Sequence, residues 1–210
     1  MNDALHEEAK KVSGSDDIRE IVHSIILKAL SERQLDKENI NSVVKSVVSG
    51  VTEGLGESSE KLKPQLQASM SGIDDALSKS AMAAKLASEE VMGRAGQFAE
   101  NDLKKAMDDF KGLENSFIDT IKTVASESGN VTSAALGEVA DHFKNSGTAS
   151  GKEALEAADG LSRLILEVGK GTVGEVTSAT ESARGHFASI ASGILSGMAD
   201  AIAPDNKTKS

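Results

Sequence analysis

The chain alternates long stretches of helical periodicity with short polar breaks. Ile18, Ile21, Val22, Ile25, Ile26, Ala29 and Leu30 recur at three- and four-residue spacing, which marks one apolar helix face. Ser15 or Asp16 offers the N-cap ahead of them. Asp36 offers a second cap, before Ile40, Val43, Val44, Val47, Val48 and Val51. β-Branched side chains lower helix propensity, yet this spacing follows a period of 3.6 rather than 2, so helix is predicted. Gly54 and Gly56 are expected to end it. Residues 15–56 thus read as an N-terminal helical hairpin, preceded by a mobile arm over 1–14.

Residues 57–204 read as a long-helix body. Pro64 suits a first helical turn. From Leu62 to about Val124 apolar positions repeat every eleven residues. One row is Leu62, Ile73, Ala84, Ala95, Ala106 and Phe117; a second is Leu66, Leu77, Ser88, Ala99, Phe110 and Ile121. A third is Met70, Ala81, Met92, Leu103 and Ala125, with Glu114 as a miss. Eleven residues over three turns keep a stripe nearly straight along a helix. Gly93 and Gly96 are the weak point, costing about 2 kcal/mol against alanine. Two forms stay open, one long central helix or a hairpin folded there.

Ser126–Asn130 is a break, followed by a short helix with Leu136, Val139 and Phe143 inward. Ser150 and Glu153 fit a capping box that opens the last helix. Its rows are Leu161, Thr172, Ala183, Ile194; Ile165, Val176, Phe187, Met198; and Val168, Ala179, Ile190, Ala201. Pro204 ends it, and residues 205–210 form a disordered polar tail. The expected fold is an all-α, elongated helical bundle with a long central helix and a long C-terminal helix.

Composition sharpens this picture. There is no Trp or Tyr and there are five Phe among 210 residues. Aromatic side chains bury the most area, so their scarcity favours close helix-on-helix packing over a thick core. The net charge is −10, and no basic stripe exists to displace counterions, which speaks against nucleic-acid binding. With no Cys, disulfides, thiolate nucleophiles and Cys-ligated zinc are excluded, a composition that fits a reducing cytoplasm. The acidic start, Met1–Glu8, lacks the pattern of a signal peptide. No stretch approaches the roughly 18–20 apolar residues of a membrane span.

Candidate chemistry is sparse. Gly169-Lys170-Gly171-Thr172-Val173-Gly174 spells GxGxxG, but that fingerprint works only where a strand feeds a helix within a βαβ unit. Gly147–Lys152 resembles a phosphate loop with one residue too few between its glycines. Glu138 and His142 lie one helical turn apart, yet a bundle metal site draws ligands from several helices. His6, His23 and His186 complete the histidines. No nucleophile elbow is present. No catalytic, cofactor or metal site is therefore expected.

The segment from Phe187 to Ala199 stands apart. It is uncharged over 13 residues and contains Gly193-x-x-x-Gly197, a spacing that permits close helix contact. Bulky apolar residues opposite a Ser/Gly face also resemble lipid-packing sensors. Phe187, Ile190, Gly193, Ile194, Leu195, Gly197 and Met198 are thus candidates for self-association or surface insertion.

The stretches Gly93–Phe98, Asp102–Asp109, Phe117–Thr120, Asn145–Ala149 and Ala191–Ala201 together resemble an uncharacterised proteobacterial family of all-helical proteins. The resemblance covers roughly residues 40–204 and implies neither a function nor a site. In pattern alone the stripes are similar to phasins and apolipoproteins. Two functions follow as expectations. The first is a non-catalytic helical scaffold of the bacterial cytoplasm, self-associating or holding a protein partner. The alternative is an amphipathic coat on a membrane, lipid or polymer-granule surface.

Overall fold

In the computed structural model, the structure describes residues 2–33, 35–56, 61–90 and 100–170. Eight helices and no strand lie among the described residues: α1 (Asn2–Val12), α2 (Ile18–Ser31), α3 (Lys37–Leu55), α4 (Leu62–Glu90), α5 (Glu100–Lys111), α6 (Leu113–Glu127), α7 (Asn130–Ser146) and α8 (Ala149–Lys170). The described residues form an all-helical fold, as expected.

The arm expected over residues 1–14 is instead a helix. Asp3 in the first turn of α1 and Lys10 and Lys11 in the last complement the helix dipole. Ala9 is buried, and α1 lies along α3. The seat is made by two glycines one turn apart. A Cβ at Gly50 would collide with the His6 carbonyl oxygen, and one at Gly54 with Ser13 Oγ and the Lys10 carbonyl. Gly54 therefore does not end α3, as its residue type suggested; it admits a neighbouring backbone. The helix stops at Gly56, whose φ of 64° suits a residue without a Cβ. Its start follows the sequence: Asp36 caps it, accepting from Asn39 N at 2.9 Å.

The two helices of residues 15–56 form where the periodicity puts them, but their main partners lie elsewhere. α2 runs along α4, while α3 is covered chiefly by α1. α2 and α4 approach to backbone contact, since a Cβ at Gly72 would strike the Arg19 carbonyl. One connected core then runs from Ala9 of α1 through Val22, Ile26, Val47 and Leu66 to Leu164 of α8.

The body is folded back on itself. Asp74, Lys85 and Ser88 of α4 meet Ser150, Glu156 and Gly160 of α8 in rising order, so these two long helices run parallel. Glu114, just after α5, meets Thr148 at the start of α8, and α5 packs along α8. The α5–α6 run is therefore antiparallel to α8 and to α4. The eleven-residue rows survive this reversal. Ile73, Ala84, Leu66, Leu77, Met70 and Ala81 are buried on α4, and Leu103, Phe110, Phe117 and Ile121 on α5–α6. α4 and α5 flank α8, whereas α6 runs past its start and packs on α7 and α3, so each run presents an apolar stripe to a different set of neighbours. Gly112 interrupts the helix between α5 and α6 only slightly, because Gly112 N still donates to Asp108 O at 3.1 Å.

Candidate functional site

The densest polar construction lies where α8 begins. The first amides of a helix lack intrahelical acceptors. Here three helices supply them. Asp74 of α4, only 7% exposed, accepts from Ala149 N at 2.8 Å and from Ser150 N at 2.9 Å. Thr148 caps the helix itself, its Oγ1 accepting from Gly151 N at 2.8 Å. Glu114 of α6 accepts from Thr148 N and Thr148 Oγ1, both at 2.9 Å. Gly151 makes room for it: a Cβ there would meet the Glu114 carboxylate at 2.7–2.8 Å. The cap is thus Thr148, two residues before the Ser150–Glu153 box expected from sequence. That box fails because Asp74 already takes the Ser150 amide.

This arrangement also disposes of the phosphate-loop resemblance at Gly147–Lys152. Amides that would cradle a phosphate at a helix N-terminus here point at two carboxylates. Likewise the residues ahead of Gly169, which a dinucleotide fingerprint needs as a strand, are helical to Lys170.

Ion pairs tie the helix rims together. Arg19 Nη2 lies 2.8 Å from Asp75, Lys45 2.9 Å from Glu127, and Lys85 2.8 Å from Glu156. Lys10 pairs with Glu53 and Lys63 with Glu138. The hydrogen bond from Lys10 holds the Glu53 carboxyl below its ordinary range and raises the lysine; Glu156 and Lys85 shift in the same directions for the same reason. Glu138, the suggested partner of His142, is thereby engaged elsewhere, and the His142 ring lies tilted beside that of Phe143, their centroids 6.0 Å apart. No three metal-binding side chains converge among the described residues.

The clefts among the described residues are open. The one between α1, α3, α6 and α7, of about 440 Å³, is lined by His6, Thr52, Glu53, Ser128 and Gly129 among others. His6 Nε2 pairs with Glu53 at 3.1 Å. The Thr52 and Ser128 hydroxyls donate to the Val48 and Val124 carbonyls, so neither is held by a base.

Two features went unnoticed in the sequence. Leu155 and Leu166 on α8 are 63% and 61% exposed. Eleven residues put them on one face, about 16 Å apart along the axis. They fall outside the three rows read for this helix, which track Leu161, Ile165 and Val168. The other feature is His23 of α2. Its Nε2 is buried with no hydrogen-bond partner among the described residues, and burial pushes its pKa below the ordinary histidine value. Only its partner helix, supplied by the fold, reveals this. Phe187, Ile190, Gly193, Ile194, Leu195, Gly197 and Met198 all lie outside the described residues. No described helix is long and apolar enough to cross a membrane.

Comparison with family models matches the chain to a family of unknown function, DUF6781, over residues 1–204. The chain belongs to this family. The match takes in the N-terminal helices as well as the 40–204 region that carries the resemblance read from sequence. No curated protein matches the chain, and no solved structure does.

Proposed function

We propose that this DUF6781 protein is a non-catalytic helical scaffold of the bacterial cytoplasm, associating with itself or with a helical partner through the outer face of α8. The observation that carries the reading is the exposed Leu155–Leu166 pair. Large apolar side chains in register on a helix face mark contact surfaces more readily than isolated ones do. The use of acid inside the bundle agrees with it: the buried Asp74 and the half-buried Glu114 hold a helix start in place. Light scattering over a wide concentration range tests the proposal. A mass that rises with concentration, and falls back to monomer in Leu155→Glu/Leu166→Glu, supports it. A monomer at every concentration overturns self-association and leaves only the partner form.

A second reading, an amphipathic coat peripheral to a membrane or granule, rests on the uncharged Phe187–Ala199 stretch. Flotation with highly curved neutral vesicles, lost in Phe187→Glu, would favour it over the scaffold. Absence of flotation would remove it.

A further inference from the structure

α2 is a strongly apolar helix held mainly on one neighbour. Ile18, Val22, Ile25, Ile26, Leu27 and Leu30 are buried, and α4 is its principal partner. The backbones touch at Gly72 and Arg19, so this seam has little slack to adjust. His23 sits in the same helix, with its Nε2 shut away from solvent and unpaired among the described residues. A neutral imidazole tolerates this, but an imidazolium needs partners for both N–H groups.

The charged surroundings do not provide them. Asp75 and Lys79 of α4 and Arg19 and Glu20 of α2 act on the ring. None of the charged groups acting on it comes from α1 or α3, the other helices against α2. Asp75 favours the charged ring, but its Oδ2 is already held by Arg19 through Nε at 2.8 Å and Nη2 at 2.8 Å. Glu20 also favours it, whereas Lys79 and Arg19 oppose it, and burial outweighs them all. A proton arriving at Nε2 of His23 therefore meets a buried, unpartnered position whose two cationic and two anionic neighbours offset one another.

We propose that His23 is a proton-triggered release on the α2–α4 seam: protonation detaches α2 from α4 and bares the apolar face between them. The sign follows from the buried neutral state. A detached α2 binds the proton at the ordinary histidine value, and the packed one binds it only at lower pH. The packed form thus keeps its full stability above the ordinary value and loses it as pH falls toward the folded pKa. The inference concerns how the bundle opens and stands whether the exposed face meets a protein or a lipid.

Hydrogen exchange on the full-length chain tests it, following amides of residues 18–31 between pH 7.5 and 5.5 with intrinsic rates divided out. The opening constant of α2 should rise as pH falls below the ordinary histidine value, by at most about tenfold per pH unit, and level off at the folded pKa. In His23→Gln, neutral throughout, the rise should vanish. An equal rise in both proteins, or none in the parent, overturns the proposal. Should His23→Gln fail to fold at pH 7.5, the NMR titration of His23 in the parent decides. A midpoint below that of an unfolded-peptide histidine upholds the proposal, and one at or above it sinks it.

Discussion

Glu114 and Thr148 are bonded twice: one carboxylate oxygen of Glu114 accepts both the backbone amide and the hydroxyl of Thr148, each at 2.9 Å. The bond joins α6 to the start of α8 across 34 positions of chain. It gives a purpose to the single charged residue in an otherwise apolar eleven-residue row. Together with Asp74 it makes the α8 N-terminus a junction of three helices.

Breaking that junction should be costly. Asp74→Ala leaves two amide donors, the buried one of Ser150 and the half-buried one of Ala149, without their acceptor. Each such loss is worth about 1–3 kcal/mol, so a destabilisation of about 3 kcal/mol is expected in urea unfolding followed by helical circular dichroism. Thr148→Ala should cost about 1 kcal/mol, as the loss of an N-cap does. Glu153→Ala should stay within about 0.5 kcal/mol. A larger effect at Glu153 than at Thr148 would restore the Ser150–Glu153 box.

The glycines under α1 make a separate prediction. Gly50→Ala puts a methyl group against the His6 carbonyl, and Gly54→Ala against that of Lys10. Backbone cannot yield as a flexible side chain does, so α1 should lift from α3. Amide protection over residues 2–12 should fall at least about tenfold, the equivalent of 1.4 kcal/mol, with α7 and α8 unaffected. Unchanged protection would mean that α1 is not seated by these glycines.

Leu155→Glu and Leu166→Glu should leave the fold intact, each within about 0.5 kcal/mol of the parent, because exposed substitutions rarely matter more. Leu161→Glu, between them in sequence and fully buried, should be severely destabilising by burying an unpaired charge. Comparable losses at Leu155 and Leu161 would show that the outer face of α8 is packed.

The rim pair Lys85–Glu156 carries a pH dependence of opposite origin to that of His23. The lysine hydrogen bond lowers the Glu156 pKa. Its contribution is present above the ordinary glutamate value and is lost as pH falls through the folded pKa. Both groups are solvent-exposed, so the effect is small and screened by salt. The melting temperatures of the parent and Glu156→Gln should converge below about pH 4, a glutamate's ordinary range, and also in about 1 M salt. A difference that persists in acid would point to a role for Glu156 other than pairing.

The chain's own pattern determined that this protein is helical and where most of its helices lie. Asp36 and the valine run after it specify α3, and the rows through Leu66, Leu77, Phe110 and Ile121 mark the buried stripes, because both signals are local in sequence. Tertiary structure alone decided what the stripes face. A straight row of apolar residues reads the same on one rod or on two antiparallel ones flanking α8, since periodicity records a face and not its partner. For the same reason Gly54 resembled a helix end, Glu114 a miss, and His23 an ordinary polar residue. Each acquires its role from a backbone, an amide or a seam contributed by a helix distant in sequence.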